Sequence, residues 1–587
     1  MGVFYDFAGR RINEPGTYTK RIFPENEGAG ALIGEVVLLG EASKGGVPYN
    51  AEDKIEDVLN IVSGQSQALE VFGGGDLYYG AEFYLTPTKD DRFNTPSQAK
   101  CIVVNQMTQA ETSLQASAVD IIDIKSKKYG TDGNTYAIKI SAGSNVGKLI
   151  EVIYKGETVL EKDDVNLTMI SIQYVGAGTS ATMSITDTTL STTITGGPGG
   201  EDLSITLADF EDLGSLINFI NNQPAYTCLL TGKSDENPLY FDIVTTQDIK
   251  TSAYESLGIV EAIIRQLRSL EDLDVELSSG ATRVIPDNLS EYQYFTGGTV
   301  SIATTQDWTD ALIKLESYQL NNIVVMTGSE TIHALVKSHV ESMNDLQKAK
   351  YRQSGFGSGS SVNTKALRIA EMKSLNSAYL EYCVSEFDRY DYVNKERKTF
   401  DPYYLYAMIS GLRYANSVGM DVVFKYLNVL STPEIKSEDR SDYIDAGATI
   451  IQLSEDASSG SQFEIKSNNT TYQGSVVTRT NPATVYLINV LTKDQELKVK
   501  EQIRKLDKVA NSVIISGINN WVLTELYPDY RDNKGWITNG PDGQKAFEDV
   551  SFELNGEVWQ LKATLTMSIT PRFAFITNTF VVPGQRI

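Results

Sequence analysis

Apolar segments separated by polar loops recur along the chain, and their spacing predicts a mixture of helices and strands. In the central part a helix is expected over Thr305–Gln319, followed by a buried strand at Ile323–Met326. A long amphipathic segment, Ser329–Arg352, comes next. The glycine- and serine-rich stretch 354–361 predicts a surface loop, and Leu375–Val384 has the pattern of another strand. This block therefore has the element order of an α/β domain.

The composition changes between Ala118 and about Leu207, where Thr, Ser, Ile, Val and Gly dominate. Several runs alternate between apolar and polar residues. Ser171–Leu190 in particular is rich in β-branched residues and has no helical period. The pattern predicts an antiparallel β domain.

The last part of the chain, Ser431–Ile587, mixes both periods and predicts an α+β domain. We expect a strand at Ser475–Thr480 and a long helix over Lys493–Ser512. A pair of apolar strands is expected at Val550–Leu554 and Val558–Ile569, after a polar loop rich in Asp, Asn, Gly and Pro.

Five motifs in the central block resemble those of tail sheath proteins from contractile-tailed, myovirus-type bacteriophages. In chain order they are FTGG at 295–298, DWTDALIKLE at 307–316, NNIVVM at 321–326, HALVKSHVESM at 333–343 and LNSAYLEYCV at 375–384. No single motif is specific, but the order of all five is that of the central sheath domain. Flanking segments extend the resemblance over most of the chain: 14–18, 118–140, 403–415, 443–448 and 473–479.

The resemblance implies an α+β multidomain fold. A central α/β sheath domain and a C-terminal α+β domain would carry a β-sandwich insertion and extended N- and C-terminal arms. The units expected on this basis are a linking arm (1–27), an N-terminal α/β segment of the core (28–117), the β-sandwich-like insertion (118–207), a further α/β segment (208–290), the central sheath domain (291–430), a C-terminal domain facing the tail tube (431–570), and a C-terminal strand and linking arm (571–587).

The resemblance also implies a function. The chain would be the structural subunit of a contractile tail sheath, polymerised as stacked hexameric rings around the tail tube in an extended, metastable state. A baseplate signal would trigger contraction, which drives the tube through the host envelope for genome ejection. The partners would be further copies of the chain, the tail tube protein, and baseplate and tail terminator proteins. The protein would be made and assembled in the host cytoplasm and belong to the virion tail.

Two alternatives remain open at this point. The chain could form the sheath of a headless contractile particle, either a bacteriocin or a type VI-like system. A β-rich, envelope-binding adhesin would fit the composition as well, but it would not account for the order of the five central motifs.

Charge and composition narrow the function classes. The chain has 587 residues and a formal net charge of −25, which argues against nucleic-acid binding because phosphate neutralisation needs a dense basic face. No apolar run approaches the roughly 20 residues that span a bilayer, so no membrane insertion is expected. No secretory signal is visible. Cys101, Cys228 and Cys383 lie far apart in apolar surroundings, which indicates buried thiols in a reducing compartment.

Residues for catalysis or metal binding do not come together in the sequence. The two histidines, His333 and His339, are six positions apart on a predicted helix and point about 120° away from each other. They are therefore not expected to share a metal. The segment Gly355–Gly359 lacks the spacing of a dinucleotide-binding loop. We expect no enzyme activity, no cofactor and no metal.

Both chain ends carry segments suited to pairing with other subunits. The C-terminal run PRFAFITNTFVVPGQRI is apolar and alternating, and a strand at a free end has unsatisfied backbone groups unless it joins a sheet. An ordinary last strand of its own domain is the alternative. The resemblance favours linking arms, with these residues as the candidates: Val3, Phe4, Tyr5, Phe580, Val581 and Val582.

Basic residues are concentrated in the helix predicted after Leu491. At about 100° per residue, its apolar positions Val499, Ile503, Leu506 and Val509 form one face, which is expected to point into the domain. The opposite side carries cations that would face the tail tube, namely Arg504, Lys505 and Lys508. A solvated face with internal i,i+4 ion pairs is the alternative.

Overall fold

The computed structural model describes residues 5–7, 10–12, 33–197, 200–345, 347–454, 462–504, 512–540, 543–555 and 558–569. Near the start, β1 (Tyr5–Phe7) and β2 (Arg10–Ile12) form an antiparallel hairpin. The first part of the core follows with β3 (Val36–Gly40), α1 (Ile55–Val58), β4 (Asn60–Val62), α2 (Gln65–Phe72), α3 (Gly75–Leu85) and β5 (Ala99–Val103).

The chain then runs through a long β-rich insertion. Its elements are β6 (Gln109–Ala116), β7 (Val119–Tyr129), β8 (Tyr136–Ala142), β9 (Lys148–Tyr154), β10 (Glu157–Val165), β11 (Thr168–Tyr174), β12 (Ser180–Ile185), β13 (Thr189–Thr195), β14 (Ser204–Thr206), α4 (Leu213–Asn221), β15 (Tyr226–Leu230), β16 (Val244–Asp248), β17 (Tyr254–Leu257), α5 (Ile259–Arg268), β18 (Leu273–Leu277) and β19 (Gln293–Tyr294).

After the insertion the chain returns to the core and completes it. The elements are α6 (Thr305–Lys314), β20 (Asn322–Val325), α7 (Glu330–Met343), β21 (Gln353–Gly357), α8 (Lys365–Leu375), β22 (Leu380–Cys383), β23 (Phe387–Asp391), β24 (Glu396–Phe400), α9 (Leu405–Tyr414), β25 (Tyr426–Leu427), α10 (Ser437–Asp445), β26 (Ala448–Leu453) and β27 (Phe463–Ser467).

The C-terminal module is mainly helical and ends in a strand pair. Its elements are α11 (Val477–Thr480), α12 (Pro482–Arg504), α13 (Ser512–Trp521), two π-helical segments (Val522–Leu526 and Asp529–Asn533), β28 (Phe547–Asn555) and β29 (Val558–Leu565). The fold is thus α+β and multidomain, as predicted.

A nine-stranded sheet organises the core. Its order is β25-β27-β26-β22-β21-β20-β3-β5-β4, and the six strands from β26 to β5 run parallel. Helices cover both faces, as a parallel sheet requires. Alternate residues of β3 separate the two cores: Val36 and Leu38 pack on the side of α3 and α9, and Val37 and Leu39 on the side of α6 and α7.

Helix α9 is fixed to this sheet by buried polar contacts. Each of three neighbouring strands presents one polar side chain to the helix. Asn322 of β20 accepts from the Tyr406 hydroxyl at 2.8 Å, and Gln353 of β21 accepts from the Tyr414 hydroxyl at 2.9 Å. Glu381 of β22 forms a fully buried ion pair with Arg413, with 2.9 Å between Nη2 and Oε2.

The insertion is attached through two adjacent chain segments. Outgoing and returning strands bridge at Met107 with Val300 and at Glu111 with Thr296, and Ser301 donates to the carbonyl of Gln106 at 3.0 Å. Inside, sheets combine strands from before and after residue 207, since β11 pairs with β15 and β17, and β7 pairs with β18. The insertion therefore extends from about residue 107 to about residue 300. Its strands pair across residue 207, so the change in composition there does not mark the end of the insertion.

The expected surface loop at 354–361 is wrong for its first half. Residues Gln353–Gly357 form the central strand β21, which is buried throughout. A Cβ atom at Gly355 would overlap the Tyr406 ring, and one at Gly357 would overlap the backbone of Pro402. Glycine is needed here because α9 and the turn before it lie directly on the sheet. The strand therefore lacks the apolar pattern by which strands are recognised.

Two boundaries in the C-terminal part also differ from expectation. The predicted strand Ser475–Thr480 contains the short helix α11, and the long helix begins at Pro482 rather than at Lys493. The first turns of α12 are buried nearly all around, so they show no amphipathic period.

Replacing Gly355 by alanine tests the close approach of α9. We expect a loss of stability of about 1–3 kcal/mol, because the added methyl group overpacks the contact with Tyr406. Gly517 of α13 is the matched control, since a Cβ there meets no atom within 4 Å. Gly517→Ala should be neutral or stabilise by up to about 1 kcal/mol. Chemical unfolding midpoints measure both, and equal effects would contradict the packing argument.

Candidate assembly interface

Helix α12 changes character along its length. Its first half is part of the core, where Tyr486, Leu487 and Val490 are almost fully buried. Its second half carries partly exposed residues up to Arg504, the last described residue of the helix. The second half of α12, which contains the residues predicted to face the tail tube, therefore extends from a first half that is buried in the core.

An ionic cluster fastens α12 to the π-helical segment. Asp494 is only 2% exposed and accepts from Lys534 at 3.0 Å, with Lys498 at 3.4 Å. Lys498 also donates to Asp529 at 3.1 Å. The Lys534 ammonium lies 4.2 Å from the centre of the Trp536 ring, which adds a cation–π contact. Two cations thus share two carboxylates, and all four groups belong to the domain's own structure.

The electrostatics of this cluster follow from burial and charge. Burial alone would lower the pKa of Lys498, but the hydrogen bond to Asp529 and the charge of Asp494 hold it above its usual value. Burial lowers the pKa of Lys534, and Asp494 only partly offsets this. Burial would raise the pKa of Asp529, but Asn533 and Lys498 keep it below its usual value. The carboxylate is therefore ionised at neutral pH.

These contacts separate the cations of α12 into two groups. Lys493 donates to the Ala349 carbonyl and Lys498 enters the cluster, so both are engaged inside the chain. Lys500 and Arg504 are exposed. Of the predicted tube-facing residues, Arg504 thus lies on the surface, while Lys505 and Lys508 lie outside the described residues.

The apolar face of α12 does not simply point into the domain. Ile503 is 48% exposed, and Val499 is only partly buried. Both side chains line an open groove of about 560 Å³, together with Leu561 of β29 and with Thr492, Gln495, Glu496, Lys500 and Arg504. The expectation of a buried face is therefore wrong for Ile503, because within the described residues the neighbouring strand pair leaves this end of the helix uncovered. Leu506 and Val509 lie outside the described residues.

The strand pair β28–β29 forms a two-stranded ribbon beside this groove. Its register runs from Phe547 opposite Leu565 to Asn555 opposite Val558. Leu561, Ala563 and Leu565 pack towards the core, whereas Gln560, Lys562 and Thr564 are exposed. In the described ranges no third strand joins either edge of this ribbon.

The candidate linking residues are only partly described. Tyr5 begins β1, which pairs only with β2 among the strands that the structure describes. Val3, Phe4, Phe580, Val581 and Val582 lie outside the described residues. The last described residue, Ile569, is 61% exposed and directly precedes the C-terminal run.

The two histidines have separate partners, as their spacing predicts. The Nδ1 atom of His333 lies 2.5 Å from Glu371, and the Nε2 atom of His339 accepts from Arg352 at 3.1 Å. Burial, with the charge of Arg352 next, lowers the pKa of His339 to about 3. The three cysteines are buried and free, which confirms the expectation of buried thiols.

Two further searches cover the described part of the chain. Within it, no group of three or more His, Cys, Asp and Glu side chains is placed to hold a metal ion. No helix found there is both long and apolar enough to cross a membrane.

Three proteins that are similar to the chain in sequence or in fold are named as sheath proteins. No protein-family model matches the chain. A tail sheath protein of Bacillus phage SP01 is 26% identical over 444 residues, which cover 73% of this chain and 72% of that protein. The crystal structure of a sheath tail protein from Listeria innocua superposes with a TM-score of 0.51 at 11% identity, covering 91% of this chain and 95% of that one. The chain resembles tail sheath proteins in sequence and shares their fold.

A second sheath tail protein, from Desulfitobacterium hafniense, gives a TM-score of 0.49 at 10% identity, over 94% of this chain and 100% of that one. The resemblance inferred from the sheath motifs is confirmed. The proteins that resemble this chain are structural sheath proteins rather than enzymes, which confirms the expectation of a structural role. At this level the comparisons support a sheath protein of a contractile tail system.

The ionic cluster can be tested at Asp494. We expect Asp494→Asn to cost about 2 kcal/mol, because two partly buried lysines lose their shared carboxylate. Arg504→Gln is the control and should stay within about 0.5 kcal/mol, because Arg504 is exposed. Unfolding followed by tryptophan fluorescence measures both. Equal losses would mean that the cluster does not hold α12 in place.

Proposed function

We propose that this chain is the repeating subunit of the contractile tail sheath of a bacteriophage. It polymerises around the tail tube as stacked rings, most simply hexameric, in an extended state. On a baseplate signal it contracts and drives the tube through the host envelope. The named function of the phage relative favours a phage tail over a headless contractile particle.

The observation that carries the proposal is the β28–β29 ribbon with both outer edges unpaired in the described residues. A two-stranded ribbon is marginally stable alone, and its free edges are templates for another strand. Two segments of the chain are candidates for such strands, namely the β1–β2 hairpin and the uncharged run Phe573–Val582. Strand addition between copies would satisfy these edges and link neighbouring subunits.

The mechanism needs no nucleotide. Contraction would draw on interfaces that form only in the contracted lattice, while each subunit moves as a small number of rigid bodies. Exposed Lys500 and Arg504, with Lys505 and Lys508 beyond them in sequence, would meet the tail tube. Solvent-exposed ion pairs are weak, which suits a contact that must release as the sheath contracts.

The remaining partners follow from the same proposal. A sheath meets the tube protein along its length, the baseplate at one end and the tail terminator at the other. It is assembled in the host cytoplasm and becomes part of the virion tail. An envelope-binding adhesin is the competing function from another class, and it requires none of these contacts.

Electron microscopy of the purified protein tests the proposal. Helical tubes of one outer diameter are the expected result, whereas dispersed monomers or trimers favour the adhesin. Deleting residues 1–13, or truncating after Arg572 so that the run 573–582 is lost, should leave folded monomers but abolish long polymers, because these segments supply strands between copies. Circular dichroism checks folding. Tubes that form as well as those of the intact chain would remove the linking role of that end.

Reversing the charges of Arg504, Lys505 and Lys508 to glutamate tests the tube contact. We expect assembly on tail tubes to fall while tube-free polymers still form, and the defect should resemble added salt, which screens the same contacts. A matched control reverses three exposed lysines of the insertion, Lys125, Lys127 and Lys162, for the same change in net charge. Undiminished assembly of the α12 variant on tubes at low salt would exclude the contact.

A further inference from the structure

The groove between α12 and β29 is an apolar site without a cover in the described structure. Its floor is formed by Val499, Ile503 and Leu561, and its charged residues, Glu496, Lys500 and Arg504, are on helix α12. Removing an exposed Ile or Leu side chain from water is favourable, roughly in proportion to the apolar area that is buried. A segment of matching apolar character would therefore gain several favourable contacts here.

The chain contains one segment outside the described residues that fits this chemistry. Residues 573–582, FAFITNTFVV, form a run of ten without a single charge, in which seven side chains are apolar. By contrast, residues 505–511 carry Lys505, Asp507 and Lys508, and residues 13–32 contain several acids and bases. Charged side chains are costly to bury in an apolar groove, so the C-terminal run is the best match.

The geometry of β29 brings this run to the groove. The chain leaves the ribbon at Ile569, eight residues beyond Leu561, a distance of about 26 Å along a strand at about 3.3 Å per residue. If the chain reversed its direction at residues 570–571, an extended segment 572–582 would span about 36 Å. That length is enough to return to Leu561 along the edge of β29 that has no partner among the described strands.

We propose that residues 571–582 of the same chain occupy this groove in the free subunit, as a third strand beside β29. A short flexible tether gives its segment an effective concentration on the order of 1 mM. A subunit at about 1 µM would therefore fill its own groove roughly a thousand times more readily than that of another copy.

The consequence for assembly rests on the proposed function. A subunit whose groove is filled by its own terminal strand cannot accept a strand from a neighbour at that edge. Polymerisation then requires the strand to be exchanged between copies, as in domain swapping. Contact with the tube or baseplate, which raises the local subunit concentration, would permit this exchange, while free subunits stay monomeric.

Disulfide trapping in the full-length chain tests the inference. We would pair Ile503→Cys with Phe580→Cys and, to allow for a shifted register, with Phe575→Cys. Leu523→Cys with Phe580→Cys is the matched control, because Leu523 is 39% exposed in the same module but does not line the groove. The three native cysteines are buried, and the unsubstituted chain shows whether they react. Mixed light- and heavy-isotope subunits distinguish bonds within one chain from bonds between copies.

The expected result is a disulfide between position 503 and position 580 or 575, in dilute monomers, carrying one isotope label only. Mixed-label disulfides would make a second copy the occupant and overturn the proposal. No bond in either pair, or equal trapping in the Leu523 control, would overturn it as well.

The groove assignment and the proposed sheath function can fail independently, and the experiments distinguish the two failures. If same-label bonds form but the reduced protein never yields tubes, the groove assignment stands and the sheath function fails. If tubes form and no such bond is found, only the groove assignment fails. Under the proposal, oxidised monomers should polymerise more slowly than the same protein after reduction, and equal rates would contradict the block on exchange.

Discussion

The arrangement of the whole chain depends on how α9 is fixed to the central sheet. An ion pair with no access to water is tolerated only when both charges are matched and further hydrogen bonds satisfy them. Arg413 and Glu381 are matched in charge, and Asn468 bonds to both at 2.6 Å, although the buried Nε atom of Arg413 has no hydrogen-bond partner among the described residues. The contact therefore permits one position of the helix on the sheet, where a purely apolar contact would allow sliding.

The same row of polar contacts orients the C-terminal module. Gln353, which receives the Tyr414 hydroxyl, also donates to the carbonyl of Pro482 at 3.1 Å, at the start of α12. The rings of Tyr414 and Tyr486 pack at 4.6 Å between centres, and the Tyr486 hydroxyl accepts from the amide of Gly34 at 3.0 Å. Sheet, α9 and α12 thus form one continuous body, and the ionic cluster around Asp494 extends it to the ribbon.

The sequence predicted well those helices and strands in which apolar residues recur with the period of the element itself. The helix at Thr305–Lys314, the strand at Asn322–Val325 and the helix at Glu330–Met343 have apolar residues at the period of their structure. Strand β21 was missed because it lacks the apolar pattern of a buried strand. The close packing of α9 and the preceding turn requires glycine at two of its positions. The extent of the insertion was missed because its sheets join distant strands. The groove and the Lys498–Lys534 cluster arise from tertiary packing, although the i,i+4 spacing of Asp494 and Lys498 was a local hint of the latter.

The attachment of the insertion has a consequence for how the protein can be altered. Its outgoing and returning strands are hydrogen-bonded neighbours, and one further ion pair, Lys44 with Asp132 at 2.8 Å, steadies the junction. Any compact domain whose termini lie a strand's width apart could be grafted between Gln106 and Ser301 without disturbing the sheet below. The junction is therefore a site at which another domain can be inserted. A particle built from such subunits could display an enzyme, an epitope or a targeting module in as many regularly spaced copies as it has subunits.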